Sequence, residues 1–537
     1  MIPDEPPFLA TMDDGIEHVL VESEQRLSRS LLWKLQRRYF DQEGIQAWRT
    51  TTVPHYVTNN PALAGAYAEV FFGFLRDCRD AGAEEPVTIV ELGAGSGRFA
   101  FLFLKALTDL LRRSVLAHVR FRYVMTDFTE TNLAYWRGHP ALAPFIADGV
   151  LDFAVLDAEN DREIRLREAG ISLSPGSLRG PLGVIANYVF DGIAQDAFTF
   201  TGGELQECLI SLSTVGAADT DDPSLIARLT PSFTRRPAPL AYYEDAELDH
   251  ILGDYARTVQ GTVLFPSSAI RCVGRLADLA GGRMLLLSGD RGHICEEAVV
   301  MEGDPTITVH GSFSSDVNYH AIAASVLARG GQVLKASHRH AHLNVVAFLL
   351  GEHPTGYVES RLAYERAVAR SGPDDFFTMR RGIQVAYEQL DLEAILALIR
   401  ASHRDPRILR DCLPSLWKHR ETTVPADARE VVQLVMGVWD NYYSMGEPDD
   451  LAFELGLLAH AFGGTARRCG SSRTRSGSMG TTRGRNGTWG SAIMRWAPWT
   501  RRSRASPPPR SFSRGFRRSG RCSAKCEDHR ARRAAAT

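Results

Sequence analysis

The stretch Val87-Thr88-Ile89-Val90-Glu91-Leu92-Gly93-Ala94-Gly95-Ser96-Gly97-Arg98-Phe99 constrains the fold more than any other. A short, mostly β-branched run leads into an acid and three alternate glycines. From Phe99 to Leu110, apolar residues recur at helical spacing (Phe99, Leu102, Phe103, Ala106, Leu107, Leu110). Strand, glycine turn and helix predict the opening unit of a doubly wound, Rossmann-like α/β domain, with a ligand bound where the turn opens. Glycines remove the Cβ atoms that would hold a ligand off the backbone, and a helix N-terminus offers N–H donors.

The spacing narrows the ligand. A dinucleotide fold asks for G-x-G-x-x-G, whereas this turn reads G-x-G-x-G with Arg98 where the third glycine should fall. E-x-G-x-G-x-G after a strand resembles motif I of the class I S-adenosylmethionine-dependent methyltransferases. The resemblance implies S-adenosyl-L-methionine as cofactor, with Glu91 orienting the turn or reaching the methionine ammonium. Gly93, Gly95 and Gly97 would let the backbone lie along the ligand. An ordinary α/β glycine turn is the plainer reading of the same residues.

Later strands repeat the pattern of an acid at the end. Phe121–Asp127 reads as the second parallel strand, and Asp127 is placed to accept from ribose hydroxyls. The run 151–158 reads as the third, with Asp157 available to an adenine amino group. The fourth, 183–186, is followed by Asn187-Tyr188-Val189-Phe190-Asp191. Amino-group methyltransferases often carry Asn or Asp here and an aromatic three residues on. Asn187 and Phe190 keep that spacing without the usual intervening prolines. Asn187 is therefore a candidate for both cofactor and acceptor contacts.

Three segments together resemble the MidA-type methyltransferases: Thr58-Asn59-Asn60-Pro61 before a helix, Glu91 to Gly97, and Ala186 to Asp191. That family includes a mitochondrial protein-arginine methyltransferase needed for complex I assembly. Met284–Asp290 agrees as a following strand, and Ser314–His320 is similar to the family's Asp-Ile-Thr-x-His region. The similarity spans about residues 50–355. It implies a protein side-chain nitrogen, arginine-like, as acceptor, and Thr58 on the cofactor wall. The chain departs from the family at Tyr188, where Glu is usual. Such chemistry consists mainly of holding a nucleophile in line with an activated methyl and excluding water. Asp191 and His320 are candidate bases for a protonated acceptor; a helix cap and a buried histidine are their plain alternatives.

The resulting domain reading has four parts. Residues 1–85 form a helical N-terminal region and site wall, with an apolar stripe (Leu20, Leu27, Leu31, Leu32, Leu35). Residues 86–355 form the methyltransferase domain with insertions. Residues 356–463 are an all-α region in which Pro448 to Gly463 resembles the first helix of a tetratricopeptide repeat. There Gly456 would be the small residue where two helices approach, and Gly463 would end the helix. Residues 464–537 are a basic tail holding 19 Lys and Arg against 2 Asp and Glu, out of 61 and 64 in the chain.

Read two nucleotides later with CGN arginine codons, residues 487–490 and 494–500 return glycines seven apart. The first lies 34 residues after Gly456, which is the period of this repeat. We therefore expect a displaced reading frame past Gly464. On that reading Cys522, Cys526 and His529 are accidents rather than a metal site. The expected partner is a protein or peptide substrate held by the helical repeats, with no nucleic acid and no membrane. Eight cysteines without a C-x-x-C pair and no long apolar run fit a reducing cytoplasm. The rival reading is a repeat-type interaction module whose α/β domain binds cofactor but does no chemistry.

Overall fold

Every residue from Val87 to Leu92 is buried, as a strand covered by helices on both faces requires. The computed structural model describes residues 18–473 apart from 51–52, 54, 81–85, 311, 341, 352–355 and 448–449. In it β1 (Val87–Leu92) is joined by β2 (Phe121–Asp127), β3 (Leu151–Val155), β4 (Leu182–Asn187), β5 (Met284–Asp290), β6 (Gln332–Leu334) and β7 (Asn344–Leu350). Their order is β6-β7-β5-β4-β1-β2-β3. Strands β1 to β5 are parallel, whereas β7 is antiparallel to β5 and β6 to β7. This is the doubly wound order 3-2-1-4-5-6 with one antiparallel strand set between the fifth and sixth positions. The winding reverses between β1 and β4, and the turns that diverge there open a crevice.

Four helices position the crevice: α1 (Leu31–Glu43), α2 (Gln46–Arg49), α3 (Pro61–Asp80) and α4 (Arg98–Arg112). Helices α3 and α4 cover one face of the sheet through an aromatic core. Phe71 of α3 meets Phe103 of α4 edge-on at 5.4 Å, and both are fully buried. Helices Ala246–Thr258, Ser267–Leu279 and Tyr319–Ala328 cover the other face.

The N-terminal region corrects the sequence reading. Residues 18–26 are not helical but a strand, antiparallel to Glu204–Val215. The helical stripe splits there: Leu20 is 61% exposed, while Leu27, Leu32 and Leu35 are buried. The long strand Glu204–Val215 offers an open edge, and pairing with it outweighs helical propensity. That sheet also holds Asp196–Thr201, Leu229–Pro237, Gly261–Phe265 and Val300–Met301, all antiparallel. Most of it is an insertion between β4 and β5. Glu22 of the first strand accepts from Leu31 N at 2.9 Å and Ser30 Oγ at 2.5 Å, so the strand itself fixes the start of α1.

Beyond β7 the described chain is helical. Leu392–Ala401, Pro406–His419, Pro425–Asp440 and Leu451–Arg473 enclose a core of their own. Two expectations fail here. A Cβ at Gly456 would meet nothing within 4 Å among the described residues, and the last helix runs through Gly463 to Arg473. The helix buries Leu451, Leu455, Leu458 and Phe462 instead, leaving Phe453 60% exposed on the opposite side. Residues 474–537, with the proposed frame displacement, lie outside the described residues. Among the described residues no helix is long and apolar enough to cross a membrane.

Candidate functional site

A cavity of about 280 Å³ opens at the carboxyl ends of the parallel strands, near the lower end of small-molecule sites at roughly 300 Å³. Each strand end contributes in turn: Gly93 after β1, Asp127 and Phe128 at β2, Asp157 after β3, Tyr188 and Asp191 after β4, and Arg291 after β5. Helices α1 and α2 close the outer side with Trp33, Gln36, Arg37, Phe40 and Trp48.

The glycine turn is built as its spacing requires. Gly93, Gly95 and Gly97 take φ of +57°, +51° and +76°, the left-handed region that favours glycine. At Gly95 a Cβ would stand 2.9 Å from the Trp48 ring. The start of α4 is less open than the sequence implied. The Asn59 side chain accepts from Phe99 N at 3.1 Å, and Ser96 Oγ from Arg98 N at 3.3 Å. Glu91 does not line the cavity. It is buried on the α4 side of the sheet, where Tyr123 Oη donates to it at 3.0 Å. Burial pushes its carboxyl up to about 8.

The next two acids lie on the wall, already bonded. Asp127 accepts from Gly95 N (3.2 Å), Thr129 N (3.3 Å) and Asn132 Nδ2 (3.0 Å). It therefore ties the glycine turn to the end of β2. Burial raises its carboxyl in spite of these donors. Asp157 accepts from Arg37 Nη2 at 2.9 Å and Asn160 Nδ2 at 3.0 Å. Burial alone would raise it, but Arg37 and Asn160 hold it below the usual carboxylate range. Arg37 also reaches Glu159 at 3.0 Å and lies over the Phe128 ring, pinning α1 across the cavity. Phe40 stacks on Trp48 at 5.7 Å and meets Phe128 edge-on.

The β4 end is different in kind. Tyr188, a wall residue, sits at φ +52°, a left-handed setting that costs a non-glycine residue roughly 1–2 kcal/mol. Its N–H donates to Gly289 O at 3.0 Å. Asn187 Oδ1 accepts from Tyr67 Oη at 2.8 Å, and its Nδ2 is buried with no partner among the described residues. Such an orphan is the kind of group a ligand satisfies. Asp191 N donates to Asp290 Oδ2 at 3.2 Å, which sets the two side chains next to each other. Burial raises both carboxyls, and for Asp290 the neighbouring Asp191 raises it further. Each therefore holds a proton more tightly than a free carboxyl does.

Thr58, Gly95, Gly97, Asn187 and His320 do not line the cavity. Thr58 spends its hydroxyl on His55 O at 3.2 Å within its own turn. His320 Nδ1 pairs with Tyr255 Oη at 2.8 Å. One residue earlier, Tyr319 Oη bonds Ser288 Oγ on β5 at 2.8 Å. Successive helix positions are about 100° apart, so the residue that turns toward the sheet is Tyr319, and His320 faces the helix Ala246–Thr258. Arg37, Phe40, Trp48, Asp290 and Arg291 were missed in the sequence. The acid ending β5 was the one available signal, since it repeats the pattern of Asp127. Among the described residues no group of three or more His, Cys, Asp or Glu could hold a metal ion.

No family model and no curated protein matches the chain. Solved structures similar to it include the following three. One is an uncharacterised ACR protein from Burkholderia thailandensis, at 19% identity and TM-score 0.35, over 58% of this chain and 72% of that one. Another, from the same organism, is provisionally assigned as a methyl transferase and is bound to S-adenosyl-homocysteine. It is 17% identical at TM-score 0.32, over 57% and 78% of the two chains. The third is magnesium protoporphyrin IX methyltransferase from Synechocystis PCC 6803 with bound S-adenosyl-homocysteine, 11% identical at TM-score 0.28, over 59% and 99%. The fold assignment rests on the strand order rather than on these similarities.

Proposed function

We propose that this chain is an S-adenosylmethionine-dependent methyltransferase of the MidA type, acting on an arginine-like side-chain nitrogen of a protein. In this reading the C-terminal helices, tetratricopeptide-like in character, recruit the substrate. One observation carries it: the E-x-G-x-G-x-G turn, Asp127 and Asp157 converge at the switch point of a doubly wound sheet, where such folds bind ligands. The residues fit the cofactor. A Cβ at Gly93 would press on Val189 at 3.2 Å and narrow the cavity. Phe40, Trp48 and Phe128 offer flat apolar faces, and Asp157 with Arg37 offers a polar edge.

When bound, the cofactor supplies a methyl already activated by its sulfonium. The chain's own residues hold the acceptor, keep water out and handle a proton. Trp33, Tyr188 and Phe313 form the dry part of the wall. Asp191, on the cavity wall with its carboxyl raised beside Asp290, takes the proton that a charged nitrogen acceptor must lose. Methyl transfer from labelled S-adenosylmethionine to arginine- and lysine-containing peptides tests the reading. Labelled arginine peptide is the expected result. Cofactor binding without turnover on any acceptor would favour the rival interaction module, and preference for NAD in calorimetry would sink both.

A further inference from the structure

Between helices Pro425–Asp440 and Leu451–Arg473 runs a segment without regular structure, Asn441–Glu447, none of whose residues lines the cavity. It lies against the glycine turn. Tyr443, 1% exposed, donates its hydroxyl to Ser96 O at 3.0 Å. Arg98, the residue that departs from dinucleotide spacing, donates to Tyr443 O at 3.1 Å and to Glu447 Oε1 at 2.5 Å. Lys105 Nζ, two turns further along α4, donates to Asn441 Oδ1 at 2.6 Å. The Tyr443 ring stacks on His139 at 3.8 Å and 10°, and His139 Nε2 bonds Ser444 O at 2.8 Å. A Cβ at Gly97 would stand 3.0 Å from the Tyr443 hydroxyl. Simple packing of helices against an α/β domain would engage side chains. Here a buried phenol reaches the main-chain carbonyl of the turn, and a half-buried ion pair between Arg98 and Glu447 fixes the residue that follows it.

We propose that Tyr443 and Glu447 are positioning residues of the cofactor turn, so that the C-terminal helices complete the binding site rather than merely recruiting to it. The inference rests on the methyltransferase reading, because the turn must receive a ligand for its position to matter. Tyr443→Phe keeps the ring, its stacking and its volume while removing the bond to Ser96. One hydrogen bond's net contribution corresponds to about fivefold in affinity.

The test uses the full chain and S-adenosyl-homocysteine as titrant, followed by calorimetry and by tryptophan fluorescence. Trp48 and Trp136 both touch Gly95, the latter through Nε1 to Gly95 O at 2.9 Å, so they report the turn directly. Tyr443→Phe and Glu447→Gln are expected to raise Kd about fivefold and damp the fluorescence change, with melting temperature within about 2 °C of wild type. KM for S-adenosylmethionine should rise while kcat stays level. Met445→Leu is the control, since Met445 is buried in the same segment and makes no polar side-chain bond to the turn. Wild-type Kd and fluorescence in Tyr443→Phe would overturn the inference. So would a weakening that Met445→Leu shares. A wild-type chain that binds no S-adenosyl-homocysteine removes the methyltransferase reading and this inference together.

Discussion

The strand ends on either side of the switch point carry similar acids and treat them in opposite ways. Beyond β1, β2 and β3, Asp127 and Asp157 are committed: every donor within reach is a loop N–H, an amide or Arg37. Beyond β4 and β5, Asp191 N donates to Asp290 and both carboxyls are raised, beside an Asn187 amide with no partner among the described residues and a Tyr188 in a strained backbone setting. The first half is finished as it stands, and a finished polar network rigidifies a site. The second half holds its charge, orphan atom and strain unresolved, which is where chemistry is expected. One sheet edge thus divides into a part that shapes a ligand's surroundings and a part that can act on an acceptor.

The sharpest way to break this division is Asp191→Asn. A general base contributes typically 10²–10⁴-fold, so turnover should fall by at least about a hundredfold while S-adenosyl-homocysteine Kd stays within about twofold. A comparable loss of binding would erase the distinction between the halves. Stability gives a second readout. Both carboxyls are raised by burial, so their protonation favours the folded chain below the unfolded carboxyl range, near pH 4, and that contribution is lost as pH rises through the folded values. Asp191→Asn removes one member of the pair. Its melting temperature should gain on wild type from pH 4 to pH 8, and a gap constant with pH would contradict the raised carboxyls.

Asp127→Ala attacks the finished half. It strips three donors of their acceptor, including the N–H of Gly95. Leaving such groups unsatisfied costs on the order of 1–3 kcal/mol each in a buried setting, so S-adenosyl-homocysteine affinity should drop about a hundredfold. Calorimetry of the variant checks this, with melting temperature as the control for global damage. Unchanged affinity would mean that the turn holds its shape without β2.

How much of this was legible in the sequence follows from the range of each interaction. Strands β1 to β5 announced themselves because a doubly covered strand needs a continuous apolar run, and the glycine turn because a positive φ needs glycine. Asp127 and Asp157 lie on the cavity wall because they follow such runs. Thr58 and His320 lie off it because a motif gives residue type but not facing: one helix position separates Tyr319, which meets β5, from His320, which does not. Arg37, Trp48 and Tyr443 were invisible because their partners lie 120, 47 and 347 residues away, and no local pattern encodes a contact of that range. The strand at 18–26 was misread for the same reason, its partner being Glu204–Val215.

A smaller effect should follow Arg37→Met, which keeps the apolar stem over Phe128 and removes the bonds to Asp157 and Glu159. The guanidinium is 37% exposed, so water screens much of the pairing and the loss should be modest. About a three- to tenfold rise in S-adenosyl-homocysteine Kd is expected. Asp157, freed of the partner that holds it low, should titrate closer to the ordinary range, a shift that carboxyl NMR would follow. An unchanged Asp157 titration would assign its low value to Asn160 and the loop amides, and α1 would then be a wall without electrostatic purchase on the site.

The smallest effect concerns the far side of the turn, at His139. Burial lowers its titration, outweighing the bond to Ser444 O and the nearby Glu447, while Arg98 adds to the lowering. Its Nδ1 accepts from Ala141 N at 3.2 Å as Nε2 reaches Ser444 O, and only the neutral ring can do both. With the folded value below the unfolded one, this contribution is whole above the ordinary histidine range and is lost as pH falls through the folded value. His139→Phe keeps a flat ring against Tyr443 but cannot titrate. Between pH 7 and pH 5 the wild-type melting temperature should therefore fall relative to the variant, by on the order of 1 °C, and wild-type affinity for S-adenosyl-homocysteine should weaken over the same interval. Parallel curves would mean that the stacking of His139 on Tyr443 carries the contact and the proton plays no part.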